Sequence, residues 1–79
     1  MSSPVFRAAL RKRDTAMNNG CPEPTRLQLG TVLADRLLQE AKDMALVEDE
    51  VKTLEGAWLA GMRIEVIPLV NDGLFMAVA

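Results

Sequence analysis

The chain of 79 residues has no histidine and no tyrosine, a single cysteine (Cys21) and a single tryptophan (Trp58). Without histidine there is no Ser–His or Cys–His nucleophile pair of the conventional kind. One thiol cannot form an intrachain disulfide, and one thiol among scattered carboxylates does not make a zinc site. Cys21 lies beside Pro22 with no cationic neighbour in sequence to activate it, and reads as an inert loop or core thiol. Gly56 and Gly61 are not followed by the Gly-Lys-Ser/Thr that a phosphate-binding loop needs. The expectation is therefore a non-enzyme with no metal and no cofactor. Long apolar runs are missing too: nothing approaches the ~20 residues that span a bilayer. The opening Met-Ser-Ser-Pro-Val-Phe-Arg also lacks the basic-then-apolar pattern of a secretory signal. A cytoplasmic protein without a membrane partner is expected.

What is present points to a small α+β domain. A chain of this length buries only about 60% of the surface that its unfolded form exposes. Such domains are commonly reinforced by disulfides, metal or oligomerisation, and with the first two set aside, self-association is the support left open. The net charge of −2 hides an asymmetry. Residues 1–29 carry five bases against two acids, and residues 30–79 four bases against nine acids. A basic head on an acidic body suits either nucleic-acid contact or attraction between oppositely charged protein surfaces.

In chain order, Ser3 can cap a helix that Pro4 opens, and apolar spacing from Phe6 through Ala9, Leu10 and Met17 predicts a basic amphipathic helix over 4–17, ended by Asn18-Asn19-Gly20. Residues 21–25 form a proline-rich connector. Arg26-Leu27-Gln28-Leu29 alternates as a half-buried strand does, with continued helix as the competitor. Thr31 is the expected N-cap of a helix over 31–46, with Leu33, Leu37, Ala41 and Met44 inside and Arg36, Gln39, Glu40, Lys42 and Asp43 outside. Leu37, Met44, Val51 and Trp58 then continue at sevenfold spacing. One rod from Thr31 to Leu59 would be roughly 44 Å long, too long for one small domain. Two helices, 31–46 and 48–60, fit better, with Glu48-Asp49-Glu50 at the start of the second. Finally, Asn71-Asp72-Gly73 between two apolar runs predicts a β-hairpin over 62–79, its return strand lying between Arg26–Leu29 and Met62–Val70. The expected fold is thus about three helices packed on a small antiparallel sheet built on a C-terminal hairpin.

That hairpin is apolar on both faces, so it needs cover that so short a chain supplies poorly. The candidate interface residues are Trp58, Ile64, Val66, Val70 and Phe75, for contact with a second copy or another protein. Trp58 has two readings, core packing against the hairpin or an anchor of the kind enriched at binding hot spots. Arg7, Arg11, Lys12 and Arg13 are the candidate nucleic-acid contacts, set against a solvated or internally paired helix face. Glu48-Asp49-Glu50 reads as a solvated helix start, because consecutive helical residues diverge and do not converge on a cation.

The segment from Pro24 to Ala79, with Leu-Gln-Leu-Gly, a helix, Ala-Gly-Met-Arg-Ile-Glu-Val-Ile-Pro, a turn and a closing apolar strand, resembles the helix-then-hairpin portion of small tailed-bacteriophage proteins and of the axial region of phage capsid subunits. Gly61, Ile64, Val66 and Pro68 match that outline. The usual closing prolines are replaced by Asn71-Asp72-Gly73, and the long capsid arm and spine helix are missing. The resemblance implies a small accessory or structural phage protein, including one that binds a host factor, placed in the bacterial cytoplasm or the virion. It implies no catalytic residue.

Overall fold

The computed structural model describes residues 4–68 and 71–77. Its elements are α1 (Pro4–Asn18), β1 (Arg26–Gly30), α2 (Thr31–Asp43), β2 (Trp58–Leu59), β3 (Met62–Ile67) and β4 (Leu74–Ala77). The class is α+β, as expected, but with two helices and a four-stranded mixed sheet of order β2-β3-β1-β4. The helices lie together on one face of the sheet, and the thin dimension of the molecule is 18 Å, the thickness of two layers.

β1 takes the centre because its alternation drives it there. Leu27 and Leu29 are wholly buried and join Val5, Ala9, Leu37, Leu38, Met62 and Ile64 in the core. β1 pairs in parallel with β3 (Leu27 beside Ile64, Leu29 beside Val66) and antiparallel with β4 (Leu27 beside Met76, Leu29 beside Leu74). The return strand therefore does not lie between β1 and β3, and β3 and β4 do not pair as a hairpin. The connection through Asn71-Asp72-Gly73 instead crosses the end of β1: the Gly73 carbonyl accepts from the Gly30 N–H (2.8 Å), and the Asn71 carbonyl from the Val32 N–H (2.7 Å). The latter satisfies one of the N–H groups that the start of α2 leaves without an intrahelical partner. Gly30, not Thr31, occupies the N-cap position.

The two-residue hairpin of this fold joins β2 to β3. Leu59 faces Met62 across Ala60-Gly61, and both turn residues have positive φ (50° and 80°), the geometry whose twist matches paired strands. Residues 48–60 are accordingly not a helix; residues 44–57 form an irregular loop that leads into β2. α2 stops at Asp43, short of Leu46. Ala45 takes φ 57°, the Ala45 N–H donates to the Lys42 carbonyl and the Leu46 N–H to the Ala41 carbonyl. This is a Schellman ending built on alanine where glycine is usual. α1 closes in the same way with the usual residue: Gly20 has φ 82°, and the Gly20 and Cys21 N–H groups reach the Met17 and Ala16 carbonyls.

The first turn of α1 is capped from far along the chain. Glu40 is buried, not on the outside of α2, and its Oε2 and Oε1 accept the Val5 N–H (3.1 Å) and Phe6 N–H (2.8 Å). The expected cap, Ser3, lies outside the described residues.

Candidate functional site

With both helices on one side, no element among the described residues covers the other face of the sheet. Strand alternation and register place its residues in rows: Trp58, Arg63, Arg26 and Ala77 across the four strands, then Glu65, Gln28 and Phe75, then Ile67 beside Gly30. Trp58 is 68% and Phe75 47% exposed. Between these aromatics sits a polar centre. Gln28 Nε2 donates to Glu65 Oε1 (3.0 Å), and Arg26 Nη1 lies 3.6 Å from the same oxygen. Arg26 Nε is buried with no hydrogen-bond partner among the described residues. Arg63 is exposed, lies opposite Trp58 in the ladder, and forms no ion pair among the described residues.

Beside the β2 edge a half-open apolar cavity of about 90 Å³ runs between Phe6, Leu46, Val47, Leu54, Trp58 and Leu59. Leu46, 59% exposed, and Trp58 stand at its mouth. Among the described residues no acid, base or nucleophile lines it. Next along the loop, Glu48, Asp49 and Glu50 are all exposed. A hydrogen bond with the Glu48 side chain, then its own backbone N–H, then the charge of Lys42 hold the Glu50 carboxyl below its ordinary value. No group of three residues able to hold a metal ion exists among the described residues.

At each outer edge of the sheet a charged side chain holds one outward-pointing backbone group. On β4, the Leu74 carbonyl points away from β1 and accepts from Lys12 Nζ (2.9 Å). On β3, residues 56 and 57 extend the pairing beyond β2 by bonding Ile64, and the next outward N–H, that of Val66, donates to Glu55 Oε2. Unpaired edges invite strand addition, and a charged side chain laid along an edge opposes it.

The expected interface set therefore divides. Trp58 and Phe75 are exposed on the open face, Trp58 from an edge strand and not from a helix. Ile64 is core at 3% exposure, and Val66 is half-buried beneath the helices. Val70 lies outside the described residues. The basic set divides as well. Arg7 and Arg11 are exposed on α1, while Lys12 is held at β4 and Arg13 pairs with Glu23 (2.6 Å) and, more loosely, Asp14 (3.8 Å). Cys21 is a free, exposed thiol.

Sequence reasoning missed the Arg26–Arg63 pair, the Glu40 cap and the two edge guards. Each depends on a partner far along the chain, from 11 residues for Glu55 and Val66 to 62 for Lys12 and Leu74, and no local pattern announces such contacts. No helix among the described residues is long and apolar enough to cross a membrane. Comparison with protein-family models, with curated proteins and with solved structures finds no match to this chain.

Proposed function

We propose that this chain is a non-enzymatic interaction or assembly protein that associates with itself through the uncovered face of its sheet. The observation that carries the reading is the one-sided cover: two helices bury one face, and the other displays Trp58 and Phe75 to solvent around two arginines. Tryptophan and arginine are the residues most enriched at interface hot spots. Charged side chains at both edges direct association to the face and away from strand addition. The proposed setting, an accessory or structural component in an infected bacterium or a virion, comes from the resemblance to small tailed-phage proteins alone, because β3 and β4 do not form the hairpin on which that resemblance rests.

Four strands ~4.8 Å apart and up to six residues long present a face of roughly 19 by 20 Å. A stable interface buries about 800 Å² on each partner, more than this face supplies alone, so flanking residues must take part. Light scattering of the purified chain from micromolar to millimolar concentration tests the reading. Association is expected, and it is expected to be lost in Trp58→Ala and Phe75→Ala while the fold stays intact. A single copy at about 1 mM, beyond the weakest Kd of interest, overturns it. Nucleic-acid binding through α1 is the competing function. Of the four basic side chains there, Arg7 and Arg11 form no ion pair among the described residues, and heparin retention abolished by Arg7→Ala with Arg11→Ala is the result that would favour it.

A further inference from the structure

The open face places two like charges side by side: Arg26 and Arg63 are register partners on adjacent strands, an arrangement that is unfavourable when nothing offsets it. Glu65 answers Arg26 but is shared with Gln28, and Arg63 has no carboxylate partner among the described residues. On a chain with net charge −2, this face keeps an excess of positive charge. On the other side of Trp58 the sign reverses. Leu46 and Val47 share the apolar cavity with Trp58, and Glu48, Asp49 and Glu50 follow directly, all exposed. Lys42 and Lys52 flank that stretch without cancelling it, since Asp43 also lies there.

Round the β2 edge the order is thus acid triplet, Leu46, Trp58, arginine pair: Trp58 shares with Leu46 and Val47 a cavity that reaches Leu37 and Ala41 of α2 on the helix side, and lies beside Arg63 in the ladder. A patch that is acidic at one end, apolar in the middle and basic at the other is complementary to itself after a half-turn about its middle, the condition for an isologous interface. We infer that a second copy of this chain docks here about a two-fold axis beside Trp58, the Arg26–Arg63 pair of each copy facing Glu48–Glu50 of the other, with Leu46 and Trp58 of both closing the cavities between them. The inference rests on the self-association proposed above and assigns its geometry. It also supplies the missing area, because the 44–57 loop adds to a sheet face too small by itself. A polyanion such as nucleic acid fits the same patch poorly, because the acid triplet would repel phosphates passing Trp58.

Charge reversal with complementation tests this on the full chain, read by native mass measurement and light scattering. Arg26→Glu with Arg63→Glu, and separately Glu48→Lys with Asp49→Lys and Glu50→Lys, set like charges against each other in a symmetric dimer. Each is expected to weaken dimerisation about 100-fold, and mixing the two is expected to restore a one-to-one heterodimer. Arg63→Glu alone gives the same readout if the double arginine variant proves unfolded by circular dichroism. A dimer lost in Trp58→Ala but indifferent to both reversals overturns the charge pairing and leaves self-association through the face standing. A parent chain monomeric at about 1 mM overturns both.

Discussion

Replacing Glu40 by alanine should loosen the whole helical layer, because this one carboxylate joins α1 to α2. It is 8% exposed and accepts the Val5 and Phe6 N–H groups at 3.1 and 2.8 Å. Those donors belong to the first turn of α1, where no intrahelical acceptor exists. A hydrogen bond to a charged group contributes about 1.5–3 kcal/mol net. Its position against the positive end of the helix dipole adds up to ~1 kcal/mol more. Two such bonds would give about 4 kcal/mol if neither donor found a substitute. Val5 is buried but Phe6 is only half-buried, so water recovers part of the loss at Phe6. We expect Glu40→Ala to lower stability by about 2–3 kcal/mol and Glu40→Gln, which keeps one acceptor, by about 1–1.5 kcal/mol. For a domain of this size about 2.5 kcal/mol moves the thermal midpoint by roughly 10–20 °C. Urea unfolding followed by circular dichroism gives the magnitude. Hydrogen exchange locates it: the Val5, Phe6 and Ala9 amides should lose protection ahead of those of α2. A Glu40→Ala protein within about 0.5 kcal/mol of the parent, with α1 protection unchanged, would refute the clamp.

Ala45→Gly should raise stability by about 0.5–1 kcal/mol in urea melts, since the left-handed Schellman position strains an alanine Cβ. Ile64→Ala should cost about 2–4 kcal/mol as a core truncation, whereas Trp58→Ala should leave stability within about 0.5 kcal/mol and act on association alone. Lys12→Ala with Glu55→Ala should free the Leu74 carbonyl and the Val66 N–H, giving concentration-dependent association with added β signal in the infrared amide I band. Unchanged behaviour of that double variant would show that the edges need no guard.

The parts of the fold that were legible in the sequence are those whose causes are local. Pro4 and Gly20 bound α1, the polar–apolar alternation of Arg26–Leu29 makes β1, and the body of α2 is nearly all strong helix formers. The end of α2 was not legible because its stop signal is an alanine. With no glycine or proline between Asp43 and Gly56, the spacing of Leu37, Met44, Val51 and Trp58 continues as if helical, yet the chain turns left-handed at Ala45 and Trp58 arrives on an edge strand. Strand order failed for a different reason. Asn71-Asp72-Gly73 is a strong local hairpin signal, but local turn preference is worth less than burial of Leu27 and Leu29, which β1 achieves with a neighbour on each side. The six residues between Ile67 and Leu74 can reach roughly 20 Å, and strands two places apart are separated by only about 10 Å. The connection is therefore long enough to step over β1, and nothing in its own composition decides whether it does.

The same distinction governs the candidate surface. Trp58 and Phe75 could be singled out by residue type, but which side of the sheet they occupy follows from the pairing, and so does the separation of Trp58 from Ile64. In an all-antiparallel sheet with the β3–β4 hairpin formed, Arg26 and Arg63 need not be neighbours. It is the parallel register of β1 on β3, residue 26 beside residue 63, that brings two cations together beside the tryptophan. It does so at the end of the sheet where β2 and the acidic loop meet. The charge asymmetry visible along the chain is not the one that matters in space. The basic helix has two of its four cations engaged within the molecule, whereas Arg63, counted by sequence in the acidic half, faces outward on the sheet without a carboxylate partner among the described residues.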